Sequence, residues 1–209
     1  MTQSINKRQA LGRIAMAAAT VGVAAIGGIN LTACTEAKPT FNAVDITGAD
    51  YAKDFSLTDA NGRVRTMADF KGKVVVLFFG YAQCPDVCPT TMTEMAQIKQ
   101  QLGSDGDKLQ VLFVTVDPER DTPDVMKAYM GAFDPSFVAL IPTPEQLPAL
   151  AKDFKVYYKK VDGKTPTSYS MDHSAASFVY DPKGRLRLYA RYGAGVPPMV
   201  TDIKALIKS

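Results

Sequence analysis

The 209 residues carry 24 basic and 21 acidic side chains, a formal charge of +3. Three of the basic groups (Lys7, Arg8, Arg13) fall in the first 33 residues, which hold no acidic side chain, so residues 34–209 carry 21 of each sign. That neutral balance, with no Lys/Arg-rich patch interleaved with aromatics, excludes nucleic acid as a partner.

The leading segment reads as an export signal. A positive start is followed by an Ala/Gly/Val/Ile-rich run from Ile14 to Ala33, the pattern of a secretory leader. The run closes on Leu31-Thr32-Ala33-Cys34, which resembles a bacterial lipobox, whose cysteine becomes the lipidated first residue of the mature protein. An uncleaved transmembrane helix is the other reading, since the run is about long enough to span a bilayer. Gly22, Gly27 and Gly28 within the run, with Gly12 just before it, make it a poor span and favour lipidation at Cys34. Either way the rest of the chain is expected on the periplasmic side of a bacterial membrane. Lys7-Arg8 is a weak form of a twin-arginine signal, and Thr35 lacks the Asp-type inner-membrane retention mark.

Cysteine arithmetic supports the lipid. Three cysteines in an exported chain leave one odd thiol. With Cys34 consumed, the remainder is one pair, Cys84 and Cys88. Residues 1–33 are thus expected as leader, 34–50 as a polar tether with Pro39 and Gly48, and 51–209 as one domain.

From Tyr51 the texture is that of a folded domain. Phe55–Thr58 and Val64–Thr66 flank Asn61-Gly62, a strong hairpin signal. Lys73–Phe79 (KVVVLFF) is a continuous apolar run, the mark of a strand buried on both faces. A helix from Pro89 to Leu102 places Met92, Met95, Ile98 and Leu102 on one face, which marks the two methionines as core. Leu109–Val116 is a second buried strand. Thr122-Pro123-Asp124 starts a helix with Thr as N-cap and Pro at its first position. Phe137–Ile141 reads as a short strand, Pro144–Phe154 as a helix and Val156–Val161 as an edge strand. Ser177–Asp181 and Leu186–Tyr192 form a hairpin around Pro182-Lys183-Gly184, and Pro198–Lys208 closes the chain as a helix. This is the α/β order of a thioredoxin-like fold with an N-terminal β-hairpin extension and an insertion.

The chemistry concentrates in Cys84-Pro85-Asp86-Val87-Cys88-Pro89, just after a buried strand, where ligands gather in open α/β sheets. Pro89 suits a first helical position, which puts Cys88 near the N-cap, where the helix dipole favours a thiolate. Cys84 lies one compact turn earlier, near enough for a shared soft ion or a disulfide. Exchange enzymes of thioredoxin type use Cys-x-x-Cys; the three-residue gap here matches that chemistry poorly. A structural disulfide stays open as a reading.

Gly80-Tyr81-Ala82-Gln83-Cys84-Pro85-Asp86-Val87-Cys88-Pro89 closely resembles the signature of the SCO/SenC family of copper proteins, which help assemble the Cu-A centre of cytochrome c oxidase. Val116-Asp117-Pro118-Glu119-Arg120-Asp121-Thr122-Pro123 resembles the family's second motif, and Asp172-His173-Ser174 its third. The resemblance runs from about Phe55 to the C-terminus. It implies copper held by Cys84, Cys88 and His173, as Cu(I) or Cu(II). It also implies delivery to the oxidase subunit carrying Cu-A, with another copper chaperone or a thioredoxin-like reductase as further partners.

The residues agree with that implication. His173 is the chain's one histidine, and it precedes a strand that in thioredoxin-like folds faces the cysteine loop. No proline lies between His173 and Phe178, where exchange enzymes carry a cis-proline. Two thiolates suit Cu(I) and an added imidazole admits Cu(II); zinc normally closes with four protein ligands. Asp86, Asp117 and Asp172 are candidates to orient His173 or tune the sulfurs; their alternatives are a turn residue for Asp86, a strand end for Asp117 and a cap for Asp172. Met171 is a further minor candidate. The stretch Asp117–Pro123 reads equally as a fold element or a docking element. The main rival to copper delivery is a thiol–disulfide reductase that keeps oxidase cysteines reduced; a copper or redox sensor is the third reading.

Overall fold

The computed structural model describes residues 40–165 and 168–209. The leader, Cys34 and the first part of the tether lie outside the described residues. No described helix is long and apolar enough to cross a membrane.

The fold grows from two apolar runs. β4 (Val74–Gly80) and β5 (Leu109–Thr115) are buried at every position, and they pair in parallel from Val74↔Leu109 to Gly80↔Thr115. Strands with no polar face need cover on both sides, so they occupy the centre of a sheet. β6 (Val138–Ile141) extends the parallel part beside β5. β9 (Ser177–Tyr180) runs antiparallel to β4, and β10 (Leu186–Ala190) antiparallel to β9. The hairpin of β2 (Leu57–Asp59) and β3 (Val64–Arg65) joins at the far edge, against β6. Its turn uses Gly62 at φ 79°, and the Asp59 carboxylate accepts the Asn61 and Arg63 amides while pairing with Arg65 at 2.8 Å.

The other edge corrects the expected tether. β1 (Val44–Asp45) pairs antiparallel with β10, and the buried carboxylate of Asp202 accepts the Asn42 and Ala43 amides at 2.9 and 2.8 Å. Two strand residues are too few for a periodic signal; the anchoring carboxylate lies 160 residues away.

α1 (Val87–Leu102) and α4 (Val196–Ile207) pack on one another, and α2 (Pro123–Gly131) packs on β6. α3 (Gln146–Asp153) precedes the insertion. Met92 and Met95 are buried, as their spacing requires. Thr122 caps α2 through the Val125 amide. α1 starts at Val87, with Asp86 at the N-cap, so Pro89 stands at the third helical position and Cys88 at the second. The first-turn N–H groups have no partner within the helix, so proline is tolerated there too.

The insertion differs from the expected edge strand. β7 (Tyr158–Asp162) pairs with β8 (Tyr169–His173) in a separate two-stranded ribbon, Tyr158 opposite His173. The short β8 sequence Tyr-Ser-Met-Asp-His mixes polar and apolar residues without a run long enough to announce a strand.

Candidate metal centre

Four segments meet at the carboxyl end of β4. The strand delivers Gly80 and Tyr81; the following turn supplies Cys84; the start of α1 supplies Cys88; the end of the ribbon supplies His173. A Cβ on Gly80 would stand 2.7 Å from Phe113 Cζ and 2.8 Å from both Cys88 Sγ and Phe78 Cε1. Only a residue without a side chain lets the Cys88 sulfur seat against the strand. The Cys84 sulfur accepts the Cys88 backbone N–H at 3.4 Å, which closes the loop so that both thiols share one side.

Cys88 Sγ lies 3.5 Å from His173 Nε2. His173 Nδ1 is 2.9 Å from the Ser174 carbonyl; a carbonyl only accepts, so Nδ1 carries the proton and Nε2 presents its lone pair to the sulfurs. The ring is held edge-on by Phe78 and Tyr81, both at centroid distances of 5.9 Å. Burial pushes its pKa below the ordinary histidine value, opposed by the Ser174 carbonyl and by Asp172. The imidazole is therefore neutral near pH 7, the form that ligates metal.

The two thiols are free and unequal: Cys88 is buried, Cys84 half-buried. Burial at Cys88 opposes the dipole expected to favour a thiolate there. Burial raises the Cys88 thiol pKa strongly, with a smaller increase from Cys84, and outweighs the lowering by the Tyr81 backbone. The helix dipole acts on a sulfur with no water around it, and desolvation wins. A cation at the site reverses that balance, because a metal-bound thiol is deprotonated outright.

The donor atoms of Cys84, Cys88 and His173 all lie within 4.8 Å of one another, the one such group of His, Cys, Asp or Glu among the described residues. An ion about 2.3 Å from sulfur and about 2.0 Å from nitrogen holds its ligand atoms roughly 3.5–4 Å apart, so a small closing movement suffices. Two soft sulfurs with one imidazole and no carboxylate suit copper better than a hard cation.

Among the described residues, none of the three carboxylates expected beside the site is hydrogen-bonded to His173 or to a cysteine sulfur. Asp86 is exposed at the α1 N-cap and accepts from the Thr90 hydroxyl at 3.3 Å. Asp172 is exposed on the ribbon and acts on His173 only through its charge. Asp117 is buried and binds Arg120 and the Tyr169 hydroxyl, the latter at 2.8 Å. His173 takes its orientation from a backbone carbonyl instead. Met171 is buried in the ribbon. Asp121 is the carboxylate beneath the cysteine loop: fully buried, it accepts the Ala82 amide at 3.1 Å and the Thr115 hydroxyl at 2.5 Å, and burial raises its pKa. Its place in the Asp117–Pro123 motif was visible; which of two acids turns under the loop depends on tertiary packing.

Fold and donor group together define a thioredoxin-like protein whose helix-start dithiol faces an imidazole. The SCO1/SenC family model matches residues 44–208, and the chain belongs to that family. A SCO2-like protein of Rickettsia felis is 33% identical over 168 residues, covering 79% of this chain and 82% of the relative. The mitochondrial SCO2 homolog of Bos taurus is 40% identical over 133 residues, or 63% of this chain, which spans only 50% of that relative's length. Among solved structures, Bradyrhizobium japonicum ScoI with copper bound has a TM-score of 0.67 at 38% identity, covering 73% of this chain and 97% of its own.

Proposed function

We propose that this protein binds copper through Cys84, Cys88 and His173 and delivers it to the Cu-A centre during cytochrome c oxidase assembly. The observation that carries the reading is the convergence of both thiols and the single imidazole within 4.8 Å. Copper in the Bradyrhizobium ScoI structure supports the choice of metal, and the SCO/SenC resemblance supports the delivery target, the oxidase subunit bearing Cu-A. On this reading the protein is a metallochaperone, not an enzyme. It is loaded by another copper chaperone or reduced by a thioredoxin-like protein. A lipid on Cys34, after removal of residues 1–33, tethers it at the periplasmic face; the intact mass of membrane-extracted protein tests this, and a mass retaining residues 1–33 would contradict it.

A second reading, a thiol–disulfide reductase for the oxidase cysteines, is favoured by the two free thiols lying close together. The imidazole separates the two. Complementation of a strain lacking the protein, with Cys84→Ser, Cys88→Ser and His173→Ala scored beside copper content, decides. Copper delivery predicts that all three fail to restore oxidase. Full rescue by His173→Ala, with both cysteine variants inactive, would overturn it in favour of the reductase.

A further inference from the structure

The ribbon that ends in His173 is not part of the main sheet. A lone two-stranded ribbon is marginal in water, so its place over the dithiol must come from side chains. Besides the His173 ring, Met171 packs into the core beside Tyr81, and further side chains come from the β5–α2 loop. Arg120 Nη1 donates to the Tyr169 carbonyl at 2.9 Å and to Gln83 Oε1 at 3.0 Å. Its guanidinium carbon lies 3.5 Å from the Tyr169 ring centroid, and its Nε pairs with Asp117. Asp117 also accepts the Tyr169 hydroxyl, and Lys160 Nζ lies 3.9 Å from the same ring while pairing with Glu119.

One guanidinium thus joins both ligand-bearing segments: Gln83 immediately precedes Cys84, and Tyr169 stands four residues before His173 on the same face of β8. Arg120 Nη2 is buried and has no hydrogen-bond partner among the described residues. The guanidinium's place is where one fork reaches both segments. Asp117 is fixed in turn by the Thr115 hydroxyl on its amide at 2.9 Å, so the clamp is rooted in β5.

We propose that Arg120 and Tyr169 are positioning residues for the metal centre, a clamp that holds the His173 ribbon in register with the Cys84–Cys88 loop. This rests on the copper reading above. It assigns the Asp117–Pro123 motif a task at the site without making any of its residues a ligand.

The test uses the reduced, full-length protein and its Arg120→Met variant, which keeps the apolar stem and removes the fork. In the copper-free protein, amide exchange over residues 158–162 and 169–173 should quicken selectively, while β4 and β5 keep their protection. Cu(II) affinity should fall about 10- to 100-fold, the range for lost outer-shell support, with an altered sulfur-to-copper charge-transfer band. Cu(I), satisfied by two thiolates, should change far less. Arg120→Lys should not rescue, because a single ammonium cannot replace the planar fork that stacks on Tyr169 while Nη1 bonds Gln83 and the Tyr169 carbonyl and Nε bonds Asp117. Tyr169→Leu, which leaves Arg120 in place, should shift the same readouts and serves if Arg120→Met does not fold. Folded variants with wild-type Cu(II) affinity and spectrum would overturn the clamp. A wild-type protein that binds no copper would instead overturn the copper reading; ribbon-specific exchange would then support the clamp and unchanged exchange would defeat it.

Discussion

Gly80→Ala tests the geometry of the dithiol seat without removing any ligand. Gly80 is absent from the positive-φ positions, so alanine meets no backbone strain and gains about 0.4–1 kcal/mol by restricting the unfolded chain. Against that, the new methyl would stand 2.7–2.8 Å from Phe113, Cys88 and Phe78, and such overpacking costs about 1–3 kcal/mol. The net expectation is a loss of about 1–2 kcal/mol, or about 2–8 °C in Tm for a domain of this size. The direction of relief matters more than its size. Phe78 and Phe113 are fully buried on adjacent central strands with ring centroids 5.8 Å apart, so they cannot yield. The Cys88 sulfur, the tip of a short side chain in the first turn of α1, can. Alanine should therefore push Cys88 away from His173 and weaken copper binding in a protein that still folds. Urea unfolding of the reduced, metal-free protein and a copper titration read the two effects. Stability within about 0.5 kcal/mol of wild type together with unchanged copper affinity would refute the reasoning.

Oxidising Cys84 and Cys88 to a disulfide removes both thiolate donors, so copper should bind the reduced protein and not the oxidised one; equal stoichiometry by metal analysis would contradict this. Because burial lowers the His173 pKa, the unfolded chain takes up a proton near pH 6.5 before the native state does. Metal-free stability should be fully present above about pH 6.5 and lost as pH falls through the lower native value; His173→Asn should flatten that slope in urea midpoints measured across the window, and an unchanged slope would count against a buried neutral imidazole. Asp202→Ala leaves the Asn42 and Ala43 amides without their acceptor. It should cost about 1–3 kcal/mol and speed amide exchange at β1 while leaving copper binding unchanged; unaltered exchange at Val44 would show that the arm is held by other contacts.

The parts legible in the sequence share one property: local residue patterns determine them. The runs at 73–79 and 109–116 announce central strands because no polar face interrupts them, Asn61-Gly62 fixes a hairpin through backbone conformation, and Met92, Met95 and Ile98 mark the buried face of α1. Cys84 and Cys88 stand out by their spacing after a buried strand, and His173 joins them through the SCO/SenC resemblance; the structure brings the three donor atoms together. What stayed hidden depends on partners distant in sequence. β1 exists because Asp202 holds it, and β8 because β7 lies opposite. The thiol of Cys88 is governed by burial against Gly80, not by its place in the helix. Asp117 turned to Arg120 and Tyr169 instead of to His173 because the loop folds back on the ribbon, which nothing local in the sequence encodes.

The central claim is that two thiolates and one imidazole hold a single copper ion, and X-ray absorption at the copper edge of the reduced, copper-loaded protein addresses it most directly. The account predicts two sulfur scatterers and one imidazole nitrogen per Cu(II), with the imidazole contribution lost in His173→Ala. A copper shell made of nitrogen and oxygen alone, or an unchanged imidazole contribution in that variant, would contradict it.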